Sequence, residues 1–268
     1  MGNILDELAD YARIRVARAK EQKPLEEIRE EARKLWQEQQ KAGAQPFRFE
    51  KALVDGDEIH FICECKKASP SKGLIAPEFP YLDIARQYET AGAAAISVLT
   101  EPKWFLGSLD YLREISAAVE TPCLRKDFTV DPYMIYEAKT AGASAILLIA
   151  AILDTETIEA YLGIADELGL SAIVEAHDEK EVASAVAAGA RIIGVNNRNL
   201  KDFTVDIHNS IRLRELAPRG AIFVAESGIK TPEDVEELRR NGVNAVLVGE
   251  QLMRATSPAA ELKRLCGN

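Results

Sequence analysis

Charged side chains follow directly on apolar runs at several points of this 268-residue chain. In Cys63-Glu64-Cys65-Lys66 the alternation of an extended segment puts Glu64 and Lys66 on one face and both cysteines on the other, with Ser69 a turn later. A carboxylate and an ammonium at the end of a buried strand either brace the fold as an ion pair or trade protons with a substrate. Leu124-Arg125-Lys126-Asp127-Phe128 sets an ammonium beside an aromatic ring. A lysine held against other cations loses proton affinity, so two roles stand open for Lys126: a proton donor near neutral pH or a Schiff-base nucleophile. In Glu175-Ala176-His177 the carboxylate is nearer the apolar run, where desolvation raises it toward the useful range. Glu175 is therefore the expected base, and His177 is expected to pack the loop. Asn196 can orient an oxygen or carboxylate, and Arg198 can hold an anion or remain a surface cation.

A different chemistry marks the last two runs. Ala225-Glu226-Ser227-Gly228-Ile229 and Val248-Gly249-Glu250 supply small residues where backbone N–H groups can approach a phosphate, and Gly249 leads into a short helix. Together these residues describe a phosphorylated small molecule held near the C-terminal end of the chain while Lys and Glu side chains do acid–base work. Neither a G-x-G-x-x-G fingerprint nor a P-loop occurs, and the four cysteines lack metal-type spacing. The chemistry is expected to need no cofactor and no metal.

Short apolar runs centred on Phe61, Ile96, Cys123, Leu147, Ile173, Ile193, Phe223 and Val246 recur at gaps of 20 to 35 residues, the length of a strand, a helix and two loops. Eight such units predict an α/β fold, the (β/α)8 TIM barrel, whose chemistry sits where strands end. Polar residues stand at seven of the eight ends, with Thr100 and Glu101 read as solvated loop openers. Gly92, Gly142, Gly189 and Gly242 each precede a run and read as left-handed helix caps. Before the first run, Ile4, Leu5, Leu8, Tyr11 and Ile14 fall at helical spacing, and Pro24 can open a second helix that ends before Gly43. Residues 1–268 are thus expected to form a single barrel domain, with residues 1–45 as an N-terminal helical extension over the barrel mouth.

Composition excludes several classes. With 33 basic and 43 acidic residues the net charge is −10, which repels nucleic acid and anionic membrane surfaces. The longest apolar run, Ala145 to Leu153, is half of what spans a bilayer, and the first residues lack the zones of a secretion signal. Cys63, Cys65, Cys123 and Cys266 are expected to be reduced core thiols of a cytoplasmic protein. It is expected to act as a monomer or weak homodimer.

The motifs Cys63 to Ser71, Leu124 to Phe128, Ile193 to Leu200 and Ala225 to Ile229, in this order and along nearly the whole chain, resemble the indole-3-glycerol phosphate synthases of tryptophan biosynthesis. The resemblance implies a carboxy-lyase that closes an indole ring without a cofactor. Its substrate would be 1-(2-carboxyphenylamino)-1-deoxyribulose 5-phosphate, its products indole-3-glycerol phosphate, CO2 and water. Lys126 would protonate the substrate carbonyl, Glu175 would share in later proton transfers, and Glu64 with Lys66 would position substrate and assist dehydration. Asn196 and Glu226 would orient the substrate. Ser227, Gly228, Gly249 and Glu250 would contact phosphate mainly through backbone amides, with the Glu250 side chain turned away. Phe105, Phe128 and Leu147 match positions that wall the aromatic ring. Trp104 stands where the family often has a smaller aromatic. The loop Lys67 to Phe79 is expected to close over the substrate. The alternatives are a Schiff-base aldolase on the same barrel and an inactive barrel that binds a phosphorylated ligand.

Overall fold

The structure is a computed structural model that describes residues 4–54, 58–199 and 204–267, so Leu200 of the third motif lies outside the described residues. Eight parallel strands among them close into a barrel. They are β1 (His60–Cys65), β2 (Ala95–Leu99), β3 (Cys123–Lys126), β4 (Ala145–Ile149), β5 (Ser171–Ala176), β6 (Ile192–Asn196), β7 (Ile222–Glu226) and β8 (Ala245–Val248). Each pairs with its neighbour in sequence, and β1 closes the ring by pairing with β8, His60 opposite Ala245. The predicted run centres all fall inside these strands. Gly92, Gly142, Gly189 and Gly242 take φ between +76° and +91°, the left-handed turn that lets each helix stop and the next strand begin.

Period-two alternation sorts the strand residues into two cores. Phe61, Cys63, Cys65, Val98, Cys123, Leu148 and their equivalents face outward under the helices. Ile62, Leu124, Leu147, Ile173, Ile192, Val224 and Leu247 fill the inside. Burying each such aliphatic side chain contributes roughly 1.5–3 kcal/mol, so the barrel is a packed core rather than a channel. Burial raises the Cys63 and Cys65 thiols and pushes Cys123 up to about 12, which leaves them unreactive. Cys266 is exposed, contrary to its expected core position, because it follows the last helix, α12 (Pro258–Leu265), as its C-cap.

Three helices precede the barrel. α1 (Ile4–Gln22) buries Leu5, Leu8, Ala9, Ala12 and Val16, so its apolar stripe runs through the alanines and leaves Ile14 nearly half exposed. Ile4, Leu5 and Leu8 reach the cavity at the mouth. α2 (Leu25–Lys41) runs along α6 (Pro132–Thr140), where the Trp36 ring lies 4.1 Å from the Lys139 ammonium and fills the space beside Gly169. The short α3 (Arg48–Ala52), which no motif announced, sits at the opposite end. Phe49 and Leu53 are fully buried there, the Phe47 N–H donates to the Gly169 carbonyl, and Arg191 grips Glu50 at 2.9 Å.

An ionic knot fastens α1 to the barrel, beside the ion pair of Lys20 with Asp131 at 2.7 Å. Arg15 donates two hydrogen bonds to Asp127, at 2.6 and 3.0 Å, and Thr100 donates a third at 2.6 Å. Burial alone would raise the Asp127 carboxyl, but Arg15, Arg125 and Thr100 hold it at about 2. Its folded value thus lies below its ordinary one, so its stabilisation is full above about pH 4 and disappears as the pH falls toward 2. Asp127→Asn should cost about 3–5 kcal/mol at pH 7, because two guanidiniums stay buried with one anion fewer. Urea denaturation of both proteins tests this; the gap between them should close as the pH is lowered from 5 toward 2, and a gap independent of pH would contradict the assignment.

Candidate active site

The last inward positions of the odd-numbered strands carry the charges: Glu64 on β1, Lys126 on β3, Glu175 on β5 and Glu226 on β7. Alternate strands of a closed barrel contribute one layer of four side chains. Here the top layer of the core is ionic instead of aliphatic. Lys126 Nζ lies 3.0 Å from Glu175 Oε2 and 3.1 Å from Glu226 Oε2. The Glu175 Oε1 atom accepts from Asn196 Nδ2 at 3.3 Å and lies 3.4 Å from His177 Nε2. Across the mouth, Glu64 pairs with Lys66 and accepts a long hydrogen bond of 3.4 Å from the Ser97 hydroxyl. Even-numbered strands contribute small residues beside these carboxylates. A Cβ on Gly194 would lie 2.6 Å from Glu226 Oε1, and one on Gly249 would lie 2.4 Å from Glu64 Oε2.

Two expectations about proton affinity are reversed. Lys126 has carboxylates around it, not cations; burial lowers its proton affinity, but Glu175, Glu226 and Glu64 outweigh that and raise it. Burial likewise pushes Glu175 up, yet Lys126 and His177 bring it below the ordinary range. Glu226 is the carboxyl that is raised, first by burial and then by Glu175 and Glu64, against the pull of Lys126. One buried cation cannot keep every neighbouring carboxylate ionised, and Glu226, whose Oε1 has no hydrogen-bond partner, yields first.

A cavity of about 370 Å³ opens above this layer. Phe105, Phe128 and Leu147 form an apolar wall, the two rings tilted at 41° with centroids 6.1 Å apart. Facing them, Ser227, Gly228, Gly249 and Glu250 line the other side, with Ser227 at φ +67° and Gly228 at +89°. A left-handed serine costs of order 1–3 kcal/mol, a strain typical of ligand clamps. Arg198 and Ser69 complete the rim. Every residue expected from the sequence to act on or bind the substrate therefore lines one cavity, whereas Thr100, Glu101, Trp104 and His177 stand behind it. Glu250 does not turn clear of it: Arg254 holds the carboxylate at 3.1 Å, and Lys72 and Arg198 lie 3.7 Å away.

Some supporting residues were misread. Thr100 and Glu101 are buried, not solvated. Glu101 accepts the backbone N–H groups of Lys103, Trp104 and Phe105 at 2.7–2.9 Å, which curls the loop so that Phe105 enters the cavity. Trp104 instead packs edge-on to Tyr11 of α1, at 5.6 Å between centroids. The sequence sign for Glu101 was only a carboxylate two to four residues ahead of the amides it caps. His177, expected to pack the loop, touches the ionic layer through Glu175.

A family model described as indole-3-glycerol phosphate synthase matches residues 5–265. The chain belongs to this family. An indole-3-glycerol phosphate synthase of Ruminiclostridium cellulolyticum is 58% identical over 99% of both chains, and one of Endomicrobium trichonymphae is 50% identical over 98% of this chain and 99% of that one. Among solved structures, the 3-hexulose-6-phosphate synthase of Salmonella typhimurium superposes with a TM-score of 0.64 at 17% identity, covering 78% of this chain and 97% of that one. That likeness is one of fold. In this member of the indole-3-glycerol phosphate synthase family, the absence of a side chain at Gly194 leaves space for Glu226 on the cavity floor. Gly194→Ala should therefore displace Glu226 and Ile173, lowering stability by about 1–3 kcal/mol and slowing turnover. A denaturant midpoint and turnover both equal to the parent protein's would show that the floor yields.

Proposed function

We propose that Lys126, clamped between Glu175 and Glu226 beneath an apolar slot, drives the ring closure of this family. The chain is a carbon–carbon lyase that converts 1-(2-carboxyphenylamino)-1-deoxyribulose 5-phosphate into indole-3-glycerol phosphate, CO2 and water. The observation that carries the assignment of roles is the ammonium's position, buried on the cavity floor between the aromatic wall and the glycine loops.

The phosphate is held by backbone N–H groups at Ser227, Gly228, Gly249 and Glu250, with Arg198 beside them. The anthranilate ring lies in the slot of Phe105, Phe128 and Leu147, a near-attack placement against the ribulose carbonyl. Asn196 and Glu226 orient the sugar oxygens, and Ser69 borders them. As the ring carbon bearing the carboxylate bonds to the carbonyl carbon, Lys126 gives its proton to the carbonyl oxygen. A raised lysine suits this step, because the nascent alkoxide is a stronger base than any amine. Loss of CO2 returns electrons to the ring nitrogen system. The new hydroxyl then leaves as water with a proton from Lys66, and a carboxylate, Glu64 or Glu175, takes one from the adjacent CH2-derived carbon. Two protons are delivered and one is recovered, and since the carboxylate leaves as CO2, each turnover draws one proton from solvent.

The same charge pattern argues against a Schiff base, which needs a neutral amine. Lys126 is held charged by three carboxylates, and Lys66 is engaged in an ion pair with Glu64. No added cofactor enters this reading, since proton donor, base and anion cradle are all supplied by the chain. The protein works as one barrel domain over residues 1–268, with residues 1–45 as its helical extension, as a monomer or weak homodimer. A cytoplasmic setting suits its unpaired thiols.

Purified protein given its substrate should develop indole fluorescence, and Lys126→Ala should lower kcat by at least roughly 10²-fold. Borohydride with a ketose phosphate should trap no lysine adduct. A silent wild type would overturn the activity, and a stable adduct the acid–base account.

A further inference from the structure

Lys126 sits under the substrate, so once it has given up its proton the solvent side of the cavity is blocked by the molecule that received it. A proton that is to reach Lys126 before the product leaves needs another way in. Glu226 offers none: its free Oε1 is buried against Gly194. Glu175 does. Its Oε2 is 3.0 Å from Lys126 Nζ, and its Oε1 faces His177 Nε2 at 3.4 Å. On the far side of the ring, Nδ1 meets Glu181 Oε2 at 3.0 Å, and the same carboxylate oxygen accepts the His177 backbone N–H at 2.8 Å. Asn209 holds the His177 carbonyl at 3.2 Å. The imidazole is thereby fixed in one orientation with Nε2 aimed at Glu175. That nitrogen is buried and lacks a full hydrogen bond, whereas the Glu181 side chain is 21% exposed. His177 does not line the cavity.

We propose that His177, oriented by Glu181, returns the solvent proton to Lys126 through Glu175 after each ring closure. The inference rests on Lys126 being the donor in that step and on Glu64, paired with Lys66, being the carboxylate that takes the CH2 proton. A water-borne or buffer acid protonates the imidazole at Nε2 while Nδ1 stays bonded to Glu181; that Nε2 proton passes to Glu175 Oε1; the now neutral carboxyl turns about its Cγ–Cδ bond and hands the same proton to the neutral Lys126 amine. Only protons move, and each group ends in its starting state. The groups facing the imidazole are Glu175 on β5, Glu181 on α8 (Glu179–Ala187) and Glu226 on β7. Burial lowers the proton affinity of His177, but these carboxylates outweigh it and raise that affinity above that of a free imidazole. His177 touches no substrate and is a positioning and relay residue.

Rapid mixing of His177→Ala and His177→Gln with excess substrate, followed by indole fluorescence, tests the relay. The first turnover uses the proton already on Lys126 and should run at the wild-type rate, giving a burst of about one product per enzyme. Later turnovers should be slower by about 10-fold or more, within the range of lost proton transfer, with KM within about 2-fold of wild type. Added imidazole should restore the steady state of His177→Ala. The proposal is overturned if the first turnover slows as much as the later ones, if both variants match wild type, or if imidazole leaves the folded Ala variant unchanged. Should His177→Ala not fold, a burst in His177→Gln supports the relay and its absence refutes it. Wild-type protein that makes no indole product would instead overturn the underlying activity.

Discussion

A buried ammonium among carboxylates sets the terms for the whole molecule. Glu64, Lys126, Glu175 and Glu226 occupy one layer that only a closed barrel can assemble, since their strands β1, β3, β5 and β7 are not neighbours. Taking such charges out of water costs several kcal/mol per ion, repaid only by close pairing. The barrel beneath must therefore supply the stability that its top layer lacks, and the aliphatic layers of Ile62, Leu124, Ile173 and Val224 do so. Gly194 and Gly249 leave the space that the carboxylates need.

The same layer settles how a protein of net charge −10 receives an anion. Its surplus acid is spread over the outer surface, while Lys66, Lys72, Arg198 and Arg254 border the mouth. Glu250 stands among three of these cations and offsets one of them, so the rim stays net basic although the molecule as a whole is acidic. In the proposed function, selectivity for a phosphate rests on directed backbone N–H groups around Ser227 and Gly249, whose geometry a bulk charge cannot imitate.

Periodicity made the barrel legible. Eight runs at regular spacing and four glycines ahead of runs are local signals, and each reflects a conformational demand that few other residues meet. Inward positions at strand ends followed from alternation, which is why Glu64 and Lys66 were separable from Cys63 and Cys65. Partnerships were another matter. Lys126 looked cation-flanked because Arg125 adjoins it in sequence, yet Arg125 points outward to Glu137 and Asp127 while Lys126 points inward to acids from β5 and β7. Proton affinity depends on neighbours in space, so Glu175, expected to be raised, is lowered, and Glu226 is the carboxyl that is raised. Likewise α3, five residues long, carries too few positions for a period to show, and Glu101 acts on main-chain amides that no side-chain pattern reveals.

The knot between Arg15 and Asp127 joins residues 112 positions apart. During synthesis at roughly 5–20 residues per second, α1 leaves the ribosome about 6–22 s before its anchor exists. Its stripe of alanines, with few large apolar side chains, suits a segment that must wait in water without clinging to itself or its neighbours. The helix that is made first is thus among the pieces that dock late, and completion of β3 is the event that lets the mouth of the barrel acquire its cover.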